Sequence, residues 1–252
     1  MAAEEKDYTE LLRRRALKHL IYGFVLNGVL RPLTRRFFDV RIEGAEHIPG
    51  RSCVIATHHC LSFDWVMLGV VLPRKAHGWI DQEVLRRVPR FGAALELICV
   101  NTDGGAESRK DYRVTREISR AWLEHTDELV VTVTDGPSKH LVGPDGRITP
   151  LPERPNHSGA ASLGHEVNVP VVPCATWIPA CHQAELFESK GIRGDLRYLE
   201  RHRRIPYYCA FLEPVTAAAF RSRREMRDEI RRRQLAGYAR LAEQHERAEP
   251  GA

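Results

Sequence analysis

Apolar and polar positions along this chain follow two alternating rhythms. Seven short runs rich in Val, Ile, Phe, Tyr and Thr read as strands: FFDVRIEG (37 to 44), SCVIAT (52 to 57), AHGWID (76 to 81), LICVN (97 to 101), LVVTVT (129 to 134), VPVVPCATW (169 to 177) and IPYYCAFLE (205 to 213). Between them FDWVMLGVVL, SRKDYRVTREISRAWLEH and HSGAASLGHEV carry helical spacing. The tail SRREMRDEIRRRQLAGYARLAEQHERA predicts a closing helix whose charges form a solvated face. Strands alternating with helices predict an α/β fold in a single domain, with a central mixed, mostly parallel sheet flanked by helices. No fixed-period repeat interrupts the pattern. One long loop candidate, rich in Gly and Pro, runs from Asp135 to Pro155, and such loops in compact domains are often functional.

The start of the chain has a different character. HLIYGFVLNGVL (19 to 30) falls short of the ~20 apolar residues that span a bilayer. Arg13, Arg14, Arg15 and Lys18 precede it, and Arg31, Arg35 and Arg36 follow it. Residues 1 to 36 therefore predict an N-terminal basic amphipathic helical segment able to lie in the headgroup plane of an anionic membrane surface, with residues 37 to 252 forming the α/β domain. A surface helix packed on the core is the other reading of the same pattern.

Composition bounds the remaining choices. A chain of 252 residues, 43% hydrophobic, can bury a substantial core. Its 38 Lys and Arg against 33 Asp and Glu leave a net charge of +5, much of it at the two ends. Six cysteines form no C-x-x-C pair, which points to a reducing compartment. No charged-then-apolar leader with a cleavage site is evident, so the expected location is cytoplasmic, peripheral on the inner face of the cell membrane. Cys181 and His182 lack a second cluster at metal-ligand spacing, so no metal is expected.

Candidate chemistry sits in ATHHCLSFDW, residues 56 to 65. His59 and Asp64 are five apart, which in one continuous helix would set them ~140° apart on different faces. If SCVIAT is a strand and a helix begins near Ser62, with Ser62 as its N-cap, the turn instead folds Asp64 back toward His59. A carboxylate there could fix the imidazole tautomer and stabilise the imidazolium formed on taking a proton. The spacing alone carries little information, because His140 and Asp145 repeat it in the polar turn KHLVGPDG. His58 is the rival base, but Phe63 stands at the same distance from it.

Four segments between about residues 40 and 215 appear in an order that resembles the glycerolipid and lysophospholipid acyltransferase superfamily, of the 1-acylglycerol-3-phosphate acyltransferase kind. VRIEGAEHIPGRSCVIATHHCLSFDW looks like its opening block, N-H-x-x-x-x-D after a strand, with His58 where Asn is usual. RFGAALELICVNTDG resembles the second block, VVTVTDGPSKH the third, and GAASLGHEVNVPVVPCATW the helix and V-P-V-V-P strand of the fourth.

The resemblance implies transfer of a fatty acyl group from an acyl-CoA or acyl carrier protein thioester to the hydroxyl of a lysophospholipid or related acceptor, with no metal or other cofactor. His59 would be the general base and Asp64 its orienting partner. Gly136 would lie where backbone N–H groups meet the developing oxyanion. Asp135, Gly136, Pro137 and Lys139 in the third block, and Arg109 and Lys110 after the second, are the implied substrate-binding positions.

The chain departs from the family at the acceptor phosphate. Asn101 and Thr102 occupy the region of the second-block arginine, Lys139 stands late for the third-block one, and Asp135 replaces a Glu. A lipid thioester or ester hydrolase using the same base with water is an alternative, though no G-x-S-x-G is present. A basic binding module built on RSRREMRDEIRRR is a further alternative. Interspersed acidic residues argue against nucleic acid as a partner.

Overall fold

The computed structural model describes residues 15–87, 89–101, 105–187 and 192–246. Each of the seven runs forms a strand: β1 (Phe38–Glu43), β2 (Cys53–Thr57), β3 (Ala76–Asp81), β4 (Ile98–Val100), β5 (Leu129–Val133), β6 (Val171–Trp177) and β7 (Ile205–Phe211). They make one sheet of order β1-β7-β6-β2-β5-β3-β4. β2, β3, β4, β5 and β6 run parallel. β7 is antiparallel to β6 and β1 is parallel to β7, so these two strands at one side of the sheet point the other way.

The central strands are apolar on both faces because helices cover both sides. Along β2, Cys53 and Ile55 join one core cluster while Val54 and Ala56 join the other. The first is closed by Met67, Leu68 and Val71 of α3 (Asp64–Val71). The second is closed by Trp122 and Leu123 of α6 (Gly105–His125), Ala160, Ala161 and Leu163 of α7 (Gly159–Val167), and Met226 and Ile230 of α10 (Arg223–Glu246). Gly164 permits that second layer, since a Cβ there would meet Val171 at 2.3 Å.

Pro173, a residue type usually confined to sheet edges, lies within an inner, fully buried strand. Its position explains the tolerance. Ala56↔Pro173 is the last β2 pair of β6, and the ladder to β7 begins at Cys174, so the missing N–H falls where β6 changes partners.

Of the expected N-terminal segment, residues 1–14, with Arg13 and Arg14, lie outside the described residues, and the rest is one continuous helix: α1 (Arg15–Gly23), a π-helical stretch over Phe24–Leu30, and α2 (Arg31–Phe37). The wider turn, with Arg31 N–H donating to the Leu26 carbonyl, ends just before Pro32, which a regular helix interior would not accommodate. Tyr22, Leu26 and Leu30 are buried against Leu95 and α3, so one face is packed on the domain. Leu20 and Phe24, each 70% exposed, and Leu33 point away from it. Among the described residues, no helix is long and apolar enough to cross a membrane.

Four further helices escaped the sequence pattern: α4 (Gln82–Arg87), α5 (Pro89–Ala94), α8 (Ala180–Leu186) and α9 (Ile192–Arg201). All but α9 are two turns or shorter, too brief for a period of 3.6 to emerge.

A charged cluster fastens α1 to the β3 side of the sheet. Lys18 lies 2.9 Å from Glu96, and His19 lies 2.6 Å from Glu128. Lys75 also pairs with Glu96. The fully buried His77 is 2.6 Å from Glu128 through Nε2 and 3.0 Å from the Glu96 carbonyl through Nδ1, with its ring stacked on Trp122. Burial works against the Glu128 carboxylate, but His77, Lys75 and His19 outweigh it and hold the group down at about 2.

Candidate active site

β2 and β5 are parallel neighbours, so their C-terminal ends deliver the residues that follow them to one end of the sheet. His58 and His59 leave β2 there, and Asp135 leaves β5. α3 begins at Asp64 after a tight turn, and the fold-back occurs: His59 Nδ1 is 3.0 Å from Asp64 Oδ2. The same oxygen accepts the N–H groups of Cys60 and Leu61 at 2.9 and 3.0 Å. Asp64 thus anchors the turn as well as the ring. Ser62 is not the cap: Phe63 holds the N-cap position, and the buried Ser62 hydroxyl has no hydrogen-bond partner among the described residues.

The two histidines differ sharply. His58 is 1% exposed, and its Nε2 accepts the Thr176 N–H at 3.2 Å. Burial lowers it to about 4, so it is a neutral, structural ring. His59 keeps 17% of its side chain exposed. Burial pulls its pKa down, yet the Asp64 hydrogen bond and the Asp135 and Asp64 charges together leave it raised above 6.5. Burial raises the Asp64 carboxyl, opposed by His59 and the Leu61 and Cys60 amides. With Nδ1–H donated to Asp64, Nε2 carries the lone pair, and among the described residues it has no hydrogen-bond partner.

The peptide groups of His59 are clamped on both sides. Its N–H donates to both Asp135 oxygens at 3.1 Å, and its carbonyl accepts Arg154 Nη1 at 2.6 Å. The same Arg154 nitrogen donates to Asp135 Oδ2 at 2.9 Å. Asp135 and Arg154 are almost wholly buried, and a paired, hydrogen-bonded geometry is what makes two such charges tolerable. Arg154 lies over the Phe187 ring at 5.1 Å, and Phe187 in turn edges the His59 ring. Beneath them α10 contributes Gln234, whose Nε2 donates to the Ala56 carbonyl at 2.8 Å.

The remaining expected positions scatter. Gly136 adopts φ +82°, and a Cβ there would meet His157 Nε2 at 2.9 Å, so the turn after β5 requires glycine. Pro137 follows it in an extended conformation. Lys139 is exposed and lies 3.4 Å from Glu83 and 3.9 Å from Asp81. Lys110 is exposed on α6, Asn101 donates to Asp111, and the Arg109 side chain lies outside the described residues. His140 is exposed, while Asp145 accepts the Arg147 N–H within its own turn. Among the described residues no group of three His, Cys, Asp or Glu side chains could hold a metal ion.

Arg154 carries no signal along the chain. It stands in the Gly- and Pro-rich loop with no periodicity around it, and only the buried charge of Asp135, which demands a cation, could have prompted a search for one.

This chain shares its fold with a solved acyltransferase. Among known structures it is similar to the crystal structure of the 1-acyl-sn-glycerophosphate (LPA) acyltransferase, PlsC, from Thermotoga maritima, with a TM-score of 0.60 at 20% sequence identity, covering 90% of this chain and 80% of that one. The chain matches no protein-family profile and no curated protein. At that identity the likeness speaks for the α/β architecture, and the site is argued from its own residues.

Proposed function

We propose that this chain transfers a fatty acyl group from an acyl-CoA or acyl carrier protein thioester to the hydroxyl of a lysophospholipid or related acceptor. The single observation carrying this reading is the 3.0 Å contact of His59 Nδ1 with Asp64, which leaves Nε2 as the basic nitrogen of a ring that keeps 17% of its side chain exposed. His59 Nε2 takes the acceptor proton as the hydroxyl oxygen forms a bond to the thioester carbonyl carbon. The C–S bond then breaks, and the imidazolium returns its proton to the departing thiolate. The Gly136 turn is the proposed source of N–H groups for the oxyanion.

Asp135 and Arg154 act through the backbone: by fixing the His59 peptide they hold the ring in register with Asp64. The resemblance to lysophospholipid acyltransferases in four sequence blocks and the shared fold support the same reading. Tyr22, Leu26, Trp65, Gly69, Leu95 and Leu97 form an apolar lining that begins one residue beyond Asp64, the chemistry an acyl chain would meet there. In this reading the exposed Leu20, Phe24, Val29 and Leu33 of the N-terminal helix, with Arg31, Arg35 and Arg36, rest in the headgroup plane of an anionic membrane.

The test is a lipid-product mass spectrum after incubation with acyl-CoA and acyl carrier protein thioesters and a panel of lysolipids. Acylated acceptor is expected. Free fatty acid in its place, with the acceptor unchanged, would assign the site to a hydrolase.

A further inference from the structure

A run of cations at the catalytic end of the sheet is left unused by the chemistry above. α9 carries Arg193, Arg197 and Arg201 at four-residue spacing, and Arg203 and Arg204 follow before β7; all five are exposed. Like charges four apart work against a helix, and Asp195 and Glu200 offset only two of the five. None of the five forms an ion pair with a described residue. Arg204 moreover sits at φ +63°, a backbone region where a bulky side chain is unusual.

Topology brings these arginines to the site. β1 and β7 run opposite to β2, so the chain enters them at the end where β2 and β5 deliver His59 and Asp135. Phe38 pairs with Ile205, which sets Arg35 and Arg36, at the end of α2, beside Arg203 and Arg204. α9 buries Leu199 in the core cluster that holds Phe38, Cys60 and Leu61. Leu196 and Leu33, 36% and 42% exposed, lie among the arginines.

We propose that this rim, formed by α9 and its following turn together with Arg35 and Arg36, is a second membrane contact, binding the phosphates of anionic phospholipids and turning the His59 cleft toward the bilayer. Guanidinium groups bind phosphate oxygens bidentately, and exposed leucines between them fit a headgroup-to-acyl boundary better than a polynucleotide. The inference rests on the lipid reading of the site for its biological sense, but its test does not need activity.

The full chain and an Arg197→Gln/Arg201→Gln/Arg203→Gln variant are floated with vesicles of phosphatidylcholine alone and with phosphatidylcholine containing phosphatidylglycerol. With three arginines neutralised at an anionic surface, the variant is expected to bind the anionic vesicles roughly a hundredfold more weakly. Binding to neutral vesicles and the circular dichroism spectrum should stay unchanged, and added salt should bring wild type down to the variant. Equal binding of both proteins to anionic vesicles would overturn the proposal. So would a variant that loses affinity for single-stranded DNA while keeping that for vesicles. Arginine-dependent vesicle binding by a wild type that acylates no lysolipid would support this surface and remove the acyltransferase reading. Transfer activity with arginine-independent binding would do the reverse.

Discussion

Among the described histidine–carboxylate pairs, His77–Glu128 and His59–Asp64 differ most usefully, because their surroundings divide their work. His77 and Glu128 are 2.6 Å apart, His59 and Asp64 3.0 Å, so contact distance alone does not tell them apart. Both nitrogens of His77 face acceptor oxygens, its ring is covered by Trp122, and no part of it reaches solvent. His59 spends one nitrogen on Asp64 and leaves the other without a hydrogen-bond partner among the described residues, in a side chain 17% exposed, while its backbone is gripped by Asp135 and Arg154. A fully satisfied imidazole is mortar; one satisfied on a single side is a base with a fixed direction.

The strongest way to break that contrast is to exchange the consequences of deletion. His59→Ala should lower acyl transfer by ~10²- to 10⁴-fold with the thermal midpoint little changed. His77→Ala should leave transfer per folded molecule near wild type while costing roughly 2–4 kcal/mol in urea unfolding, because it empties the space of a buried ring stacked on Trp122 and removes one of the partners of Glu128. Similar activity losses from both would erase the distinction.

Arg154→Gln sharpens the claim that the His59 backbone is clamped. It leaves Asp135 buried without its cation, so unfolding should be easier by about 3 kcal/mol. Transfer by the folded fraction should drop in kcat rather than KM, which initial-rate kinetics at saturating acceptor would read.

Acid should probe the sealed pair. Glu128 is held at about 2, below its ordinary 4.5, so its contribution to stability is present above about 4.5 and disappears as pH falls toward 2. Urea midpoints should fall through that window in wild type. In Glu128→Gln they should start lower at neutral pH and decline less across it.

The smallest effect belongs to the second H-x-x-x-x-D. His140→Ala should change stability by less than about 0.5 kcal/mol, as exposed substitutions usually do, and transfer rates hardly at all.

How much of this could be read in the sequence varies with the kind of constraint. The strands were legible because burial on both faces demands unbroken apolar runs such as CVIAT and VVPCATW, and the strand–helix rhythm pointed to a mostly parallel sheet, but their order in the sheet is set by long-range contacts that no local pattern encodes. His59 and Asp64 were legible because a polar cluster between a buried strand and an apolar helix is conspicuous. α4, α5 and α8 were not, being too short to show a period. Arg154 was invisible for a deeper reason: its partner Asp135 is 19 residues away across an irregular loop, and no local pattern encodes a contact that the loop's path creates. Asp135 itself drew notice as a substrate contact, and its oxygens are committed to the His59 amide and Arg154.

The most direct test is the pH dependence of kcat/KM for acyl transfer in wild type and in Asp64→Asn. A base must be unprotonated to act, and Asp64 and Asp135 raise His59 against the pull of burial, so the wild-type rate should fall on the acid side of a midpoint above 6.5. In Asp64→Asn the rate should be lower throughout, and that midpoint should move to lower pH. An acid limb in the same place in both proteins would contradict the account, because the titrating group would then not be an imidazole held by that carboxylate.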